Sequence, residues 1–450
     1  MSVLRRVLIA AALGTVAAHG YAGSFLQAYE GAVANDPSYR AARQALASTE
    51  QGVPIARSNL LSNLSLSISD ARVTGSRTSP NFLGQSVSTP LDYRSPQQTL
   101  SWRAPLLNVE AWQRVRQAQA QVAVAESVLL TRRHELLDRL GQAYLQRLFT
   151  LQNQEVARSQ VETAQEQRQL ALRQFELGDG TRPEVRTAEA NLALAQVQLL
   201  EAENQHANAT LVLAQITGLS SLPVQLLADS FVAPRPVPAS LDGWMEQART
   251  SNPDVVARQR AVEVARVGVD RAGAGHYPRL DLVASVSKGR NESVSTLNQA
   301  VSQRSIGLQL NVPLYSGGLV EASVAQALAD QEKAQAELEA ELLSVNADIQ
   351  RLFLTVQNGL EKLRAQQQVL DAVLLVLEGA RKSVAGGVGI RADIVRAQSK
   401  VTEALRDRAR FRYEQVLALL RLHSRAGTVP EDIAQLMDTV LSEPTRTATR

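Results

Sequence analysis

After Gly317-Gly318 the chain runs for about 65 residues with no proline and almost no glycine. Within that run Leu342, Ile349, Val356, Leu363, Leu370 and Leu377 are seven apart, and Leu338, Val345 and Leu352 interleave with them. An apolar repeat of seven makes helices supercoil left-handedly around neighbours. At 1.5 Å per residue this helix would be about 100 Å long, far beyond the usual globular helix. Just before it, Ser305–Val312 alternates polar and apolar residues, which is the period of a half-buried strand. Pro313 ends the alternation, and Tyr315-Ser316-Gly317-Gly318 turns the chain.

The rest of the sequence reads as a second copy of this unit. Asn35-Asp36-Pro37 and Asn252-Pro253-Asp254 each start a helical segment, at an offset of 216 that continues through Leu64/Leu280 and Leu66/Leu282. Ala104-Pro105-Leu106-Leu107-Asn108 answers Val312-Pro313-Leu314-Tyr315-Ser316, and Leu177-Gly178 answers Val388-Gly389. A duplicated unit follows. The first repeat covers 23–217, with strands at about 61–70 and 97–103 and long helices at about 108–177 and 183–216. A Pro-rich connection covers 218–243. The second repeat covers 244–426, with strands at about 280–288 and 305–312 and helices at about 318–383 and 392–425; a polar segment, 427–450, with room for one short helix at Glu431–Leu441, ends the chain. One heptad seam of the return helix holds Ala188, Ala195, Ala202 and Ala209, which permits close helix approach.

All four strands alternate. Leu64, Leu66, Leu100, Trp102, Leu282, Leu308 and Leu310 fall on one face, against Ser65, Ser67, Ser285 and Gln309 on the other. Apolar-out, polar-in segments of this kind mark transmembrane barrel strands, and a soluble antiparallel sheet with one wet face alternates equally well. The connections 71–96 and 289–304 are rich in Ser, Thr, Gly, Asn and Pro and read as the long polar loops of a barrel mouth.

Met1–Ala22 reads as a secretory signal peptide: Arg5 and Arg6, an apolar stretch Val7–Ala18, then the small-x-small site Gly20-Tyr21-Ala22. Without it the charge is balanced to net +1, and no basic stripe interleaved with aromatics points to nucleic acid. The chain has no cysteine, which excludes disulfides and thiolate metal sites. Its five histidines are scattered, with no pair at helical ligand spacing, so no metal site is expected. Gly386-Gly387-Val388-Gly389 lacks the Lys-Ser/Thr of a phosphate loop and reads as an interhelical turn. No catalytic constellation stands out, and no cofactor is expected.

The signal peptide, the Asn-Asp-Pro and Asn-Pro-Asp starts, Tyr277-Pro278-Arg279-Leu280-Asp281-Leu282, Val312-Pro313-Leu314-Tyr315-Ser316-Gly317-Gly318 and the two glycine-containing helix turns resemble the TolC family of outer-membrane channels. The resemblance covers about Ser24–Ala426. It implies a mostly α fold with membrane β: a trimeric twelve-stranded β-barrel in the Gram-negative outer membrane, continuous with an α-helical barrel in the periplasm. Strand closure asks for the same trimer, because four strands cannot close and single-chain barrels begin at about eight. The implied function is the exit duct of a tripartite export system, without chemistry of its own. Its partners would be a periplasmic adaptor protein and an inner-membrane ABC or proton-driven transporter. Protein secretion of type I and efflux of toxic compounds both fit such a duct.

The resemblance also assigns sites. The adaptor would dock on the hairpin tips, at Gly178, Gly180, Thr181, Gly386, Gly387 and Gly389. A periplasmic gate would use Arg391 and Glu184, with Asp179 and Asp393 nearby. Where the family's best-known channels carry two aspartate rings, this chain has Val395 and Gln398, and Asp393 would supply a substitute. The rival reading is a periplasmic or surface coiled-coil structural or adhesion protein, and an enzyme ranks third.

Overall fold

The computed structural model describes residues 24–442 except 221, 225, 228–230, 232, 233, 235, 294 and 295; at 291–293, 296–298, 391 and 442 it describes the backbone alone. The expected signal peptide lies outside the described residues. In chain order the elements are α1 (Phe25–Asn35), α2 (Pro37–Glu50), α3 (Gly52–Ser58), β1 (Asn63–Pro80), β2 (Ser86–Leu107), α4 (Val109–Leu177) and α5 (Arg182–Thr217). There follow α6 (Leu241–Ser251), α7 (Pro253–Gly273), β3 (Arg279–Ser293), β4 (Thr296–Asn311), α8 (Leu319–Ala385), α9 (Arg391–Arg425) and α10 (Pro430–Ser442). The second series repeats the first: short helices, a β-hairpin, a long helix and a return helix. The described residues form two compact units, one within 24–42, 129–255 and 342–442, the other within 43–128 and 256–341.

The smaller unit holds one antiparallel sheet in the order β1-β2-β3-β4. Its strands reach well past the expected limits. Of the segments expected as polar loops, Ala71–Pro80 with Ser86–Pro96 and, among the described residues, 289–293 with 296–304 continue the two hairpins as paired strands. The ladder is made by main-chain groups and needs no apolar side chain. Pro90 and Pro96 are tolerated because β2 pairs with β3 only over Gln97–Leu107, which leaves one side of the strand without a ladder at those prolines. Pro105 sits at a register shift, and β2 runs on to Leu107. Beside the sheet, Ala56, Val115 and Ala118 pack with Val53 and Leu60.

The larger unit is helical. Ala157, Ala164 and Ala171 of α4 and Ala195, Ala202 and Ala209 of α5 are buried at heptad spacing. In the second repeat Leu370 and Leu377 of α8 pack on Ala397, Val401 and Ala404 of α9. Phe25 meets Tyr144 edge-on at 5.3 Å, and Trp244 meets His423 at 4.9 Å. The short helix expected at Glu431–Leu441 is the amphipathic α10, and it is part of the core: Ile433, Ala434 and Met437 are buried, and α10 packs on α1. Spacings of three and four put those side chains on one face.

Two elbows repeat. Between α1 and α2, Asp36 accepts from the Tyr39 N–H at 2.7 Å, and Asn35 donates to the Thr217 carbonyl at the end of α5. Between α6 and α7, Asn252 accepts from the N–H groups of Asp254 and Val255 and donates to the Arg425 carbonyl at the end of α9, at 2.7 Å. Each elbow caps the helix that follows it and holds the end of its own return helix. Among the described residues no helix is long and apolar enough to cross a membrane.

Candidate functional site

Directly opposed residues of an antiparallel ladder share a face, so the register sorts the sheet. One face carries the rows Leu64–Trp102–Ala284–Ile306 and Leu66–Leu100–Val286–Arg304, the last ending on a charge at the β4 edge. Ala104–Leu282–Leu308 and Leu280–Leu310 continue it toward the helices. Leu64 and Leu308 are 65% and 66% exposed. The other face carries the row Ser65–Ser101–Ser285–Ser305, in which Ser65 bonds Ser101 at 2.7 Å and Ser285 bonds Ser305 at 2.8 Å. Ser67 and Gln309 lie on this face too. Both outer strands, β1 and β4, present an unpaired edge. An apolar face in the open, a hydroxyl-lined face behind it and two free edges are the attributes of a barrel segment, since an exposed edge otherwise invites uncontrolled pairing.

The hairpin tips share one backbone turn. In the first, Gly178 takes φ +85°, and the N–H groups of Asp179 and Gly180 both donate to the Gln174 carbonyl, at 2.9 and 3.0 Å. In the second, Gly387 takes φ +77°, and Val388 and Gly389 both donate to the Ser383 carbonyl at 3.0 Å. Gly178 therefore corresponds to Gly387, which moves the expected pairing of Gly178 with Gly389 by two residues. A Cβ on Gly180 would meet the Phe175 nitrogen at 2.9 Å, and one on Gly389 the Ser383 Cβ at 3.0 Å. The turn itself requires these glycines. Three apolar side chains that the sequence reading passed over stand in solvent here: Leu177, Val388 (90% exposed) and Ile390. One signal was legible: Ile390 occupies the N-cap of α9, where Ser, Thr, Asp or Asn is favoured.

The expected gate residues are engaged locally. Glu184 accepts from the N–H and hydroxyl of Thr181, at 2.8 and 3.0 Å, and so caps α5. Asp393 pairs with Arg396 at 3.2 Å. Gln398 accepts from Gln167 of α4 at 2.8 Å, Val395 is half-buried and Asp179 is exposed. Arg391 opens α9, and its side chain lies outside the described residues. Higher on the same helix pair, Gln160 donates to Thr402 at 2.6 Å and Tyr413 to Gln152 at 3.3 Å.

Around the second elbow lies a cavity of about 520 Å³. Arg425 reaches Asp254 at 3.0 Å and Asp348 at 3.6 Å, and Arg421 reaches Asp138 at 2.6 Å. His134, 6% exposed, meets the Ser424 hydroxyl at 3.0 Å. Burial pushes His134 down to about 4; Asp254 opposes that, while Arg133 and Arg425 add to it. At the first elbow burial alone would raise the Asp36 carboxyl, but hydrogen bonds from Arg139 and from the Tyr39 N–H outweigh it and hold the group below the usual range. Of the charges lining the cavity, Asp138, Asp254, Asp348, Arg351, Arg421 and Arg425 pair among themselves, while Glu135 and Arg139 pair with Arg132 and Asp36. Among the described residues no cluster of His, Asp and Glu is arranged to hold a metal.

The sequence profile of the outer membrane efflux protein family matches residues 28–219 and 244–428, one stretch for each repeat. The chain belongs to that family. It is 31% identical over 93% of its length, and 87% of the relative's, to the alkaline protease secretion protein AprF of Pseudomonas aeruginosa. It is 32% identical over 98% of its length, and 96% of the relative's, to the proteases secretion protein PrtF of Dickeya chrysanthemi. The outer membrane protein TolC of Vibrio cholerae is 24% identical over 96% of this chain and 97% of that one. Among solved structures, the CusC channel superposes with a TM-score of 0.74 at 15% identity, covering 90% of this chain and 92% of CusC. The outer membrane protein VceC of Vibrio cholerae gives 0.70 at 18%, covering 89% and 96%.

As an outer membrane efflux protein the chain resides in the outer membrane and serves as an exit duct for export. The coiled-coil adhesion reading is set aside, and the family is one of channels rather than enzymes.

Proposed function

We propose that three copies of this chain close a twelve-stranded barrel and act as the exit duct for a secreted protein, a protease by class. The observation that carries the assembly is the four-stranded sheet with two open edges, one apolar face and one serine face. Leu64, Leu66, Leu100, Trp102, Leu282, Leu308 and Leu310 then face outer-membrane lipid, and the serine row lines the lumen. Exposed apolar residues on the helices support the same assembly: Leu194, Val197 and Leu200 on α5, and Leu374, Leu375 and Val376 on α8, are covered by nothing in one protomer. The choice of protein cargo over small compounds is supported by AprF and PrtF, whose names are those of protease secretion proteins and which match nearly the whole chain.

The duct performs no chemistry. A periplasmic adaptor docks on the tips through Leu177, Val388 and Ile390, around the glycine turns Gly178–Thr181 and Gly386–Gly389, and an inner-membrane ABC transporter supplies the energy. A salt link between Arg391 and Glu184 of neighbouring coils holds the periplasmic end shut, with Glu184 also capping α5. Glu184→Gln keeps the capping acceptor and removes the charge, so it tests the gate more cleanly than alanine.

The test is deletion of this chain in its own host, followed by a protein inventory of the culture medium and by antibiotic susceptibility. Loss of a secreted protease with unchanged susceptibility is the expected result. Unchanged secretion with increased susceptibility would transfer the duct to efflux. Complementation with Arg391→Ser and Glu184→Gln together should admit large antibiotics, and unchanged permeability would reject the gate.

A further inference from the structure

The first hairpin is longer than the second: β1 and β2 have 18 and 22 residues, β3 and β4 have 15 and 16. Beyond Gln97 the strand β2 has no β3 partner, so Ala71–Pro80 and Ser86–Pro96 continue as a two-stranded ribbon. The shared part, Gln97–Leu107, is already about the length of a membrane-spanning barrel strand, 9–11 residues. The ribbon lies past it, in water.

At the start of the ribbon the apolar face changes sides. On the face that carries Leu64, Leu66 and Ile68, the next rows are Asp70–Pro96, Arg72–Arg94 and Thr74–Asp92. Arg72 and Asp92 are joined across the strands at 2.8 Å, and Arg94 pairs with Asp70. On the face that carries Ser65, Ser67 and Ser69, the next rows are Ala71–Ser95, Val73–Tyr93 and Gly75–Leu91, with Val87 nearer the tip. Arg77 is the one charge on that side, and its long stem lets the head reach water. The tip is a built turn. The Asn81 carboxamide oxygen accepts from the N–H groups of Leu83 and Gln85, at 3.0 and 2.9 Å, and the turn presents Phe82 (95% exposed) and Leu83.

We infer that the three ribbons of the trimer pack against one another through Val73, Leu91, Tyr93 and Phe82 and close the outer mouth of the duct. The inference rests on the barrel reading, which turns the serine face inward. An apolar stripe that begins where the lipid ends, on the side toward the threefold axis, has no lipid to cover it. The covering surface is a second copy of this chain. The interface continues from the strand edges that the barrel closes, and the copies are already tethered at high effective concentration. A passing cargo polypeptide has neither advantage. The charged outer rows stay solvated, as an outward face should.

The chain has no cysteine, so single thiols can be placed without background. In trimers reconstituted in lipid, without adaptor or cargo, Phe82→Cys should oxidise to a covalent dimer, and Thr74→Cys, on the outer face, should not. In intact cells Ser285→Cys, on the lumen face, should be protected from a bulky maleimide added outside. Protection should be lost when Phe82, Leu91 and Tyr93 are all serine. A stable outer-membrane trimer in which Phe82→Cys stays monomeric and Ser285→Cys labels freely would overturn the closure and leave the duct standing. In intact exporting cells treated with a thiol–amine cross-linker, a Phe82→Cys joined to exported protein and never to a second copy would replace the second copy by cargo. A chain that forms no trimer would overturn duct and closure together.

Discussion

The elbows at Asp36 and Asn252 share a backbone and differ in charge. At the first, an ionised carboxylate caps α2 and receives both arms of Arg139 at 3.1 Å. At the second, a neutral amide caps α7 and uses its NH2 group to hold the Arg425 carbonyl, while the charge has moved to Asp254 and its partner Arg425. Duplication preserved the joint and let the electrostatics drift. The two elbows should therefore fail under different conditions, and three experiments sharpen that contrast.

The largest effect is expected from acid at the second elbow. His134 titrates near 6.5 when unfolded and at about 4 when folded. Its folded value is depressed, so between pH 6.5 and 4 the unfolded chain binds the extra proton and stability falls as pH falls. At 1.36 kcal/mol per unit the full loss is roughly 3 kcal/mol per protomer, complete below pH 4. Asp36, also depressed, adds stability that is intact above about 3.9, the ordinary aspartate value, and is lost only as pH falls below it. Thermal unfolding in detergent from pH 7 to pH 4 should show a falling Tm in the parent and a flatter line in His134→Gln. Parallel lines would reject the assignment to His134.

Exchanging the elbow chemistry comes next. Asn252→Asp loses the donor to the Arg425 carbonyl and sets acceptor against acceptor at a buried site, a cost of about 1–3 kcal/mol. Asp36→Asn keeps an acceptor for the Tyr39 N–H and weakens the Arg139 contact, a cost of about 1 kcal/mol. Urea midpoints of the two variants should fall in that order, and the reverse order would mean the second elbow tolerates charge.

The smallest effect separates the tips. Thr181 and Ile390 hold the same N-cap position. Ile390→Thr should raise stability by about 1 kcal/mol, and Thr181→Val should lower it by a similar amount. If Ile390 is kept for docking, Ile390→Thr should also weaken adaptor pull-down and export. A variant that is more stable and exports normally would leave the isoleucine unexplained.

The helices were legible because their signals are local and repeated. Seven-residue seams such as Leu342–Leu377 and the alanines of α5 need only a neighbour to become buried. The alternating rows of the sheet were legible for the same reason, at period two. The ribbon was not. Ser, Thr, Gly and Pro between 71 and 96 look like loop composition, while the ladder that orders them is made by main-chain atoms. The tips were misaligned because Gly386-Gly387-Val388-Gly389 offers three glycines, and only the hydrogen bonds to Ser383 show that Gly387 takes the positive φ. Glu184 read only as a gate charge, because a capping contact to Thr181 is indistinguishable by letter from a charge that reaches across to another coil.

One feature of the α4–α9 seam reaches past stability. Toward the hairpin tips its rungs, Gln152 with Tyr413, Gln160 with Thr402 and Gln167 with Gln398, are uncharged, whereas Arg421 and Asp138 form an ion pair at its other end. Dissolved salt screens ion pairs and proton concentration titrates them, but neither acts on an amide bonded to a hydroxyl or to another amide. The stretch of the seam ruled by such bonds should therefore feel brine and acid far less than the end held by Arg421 and Asp138.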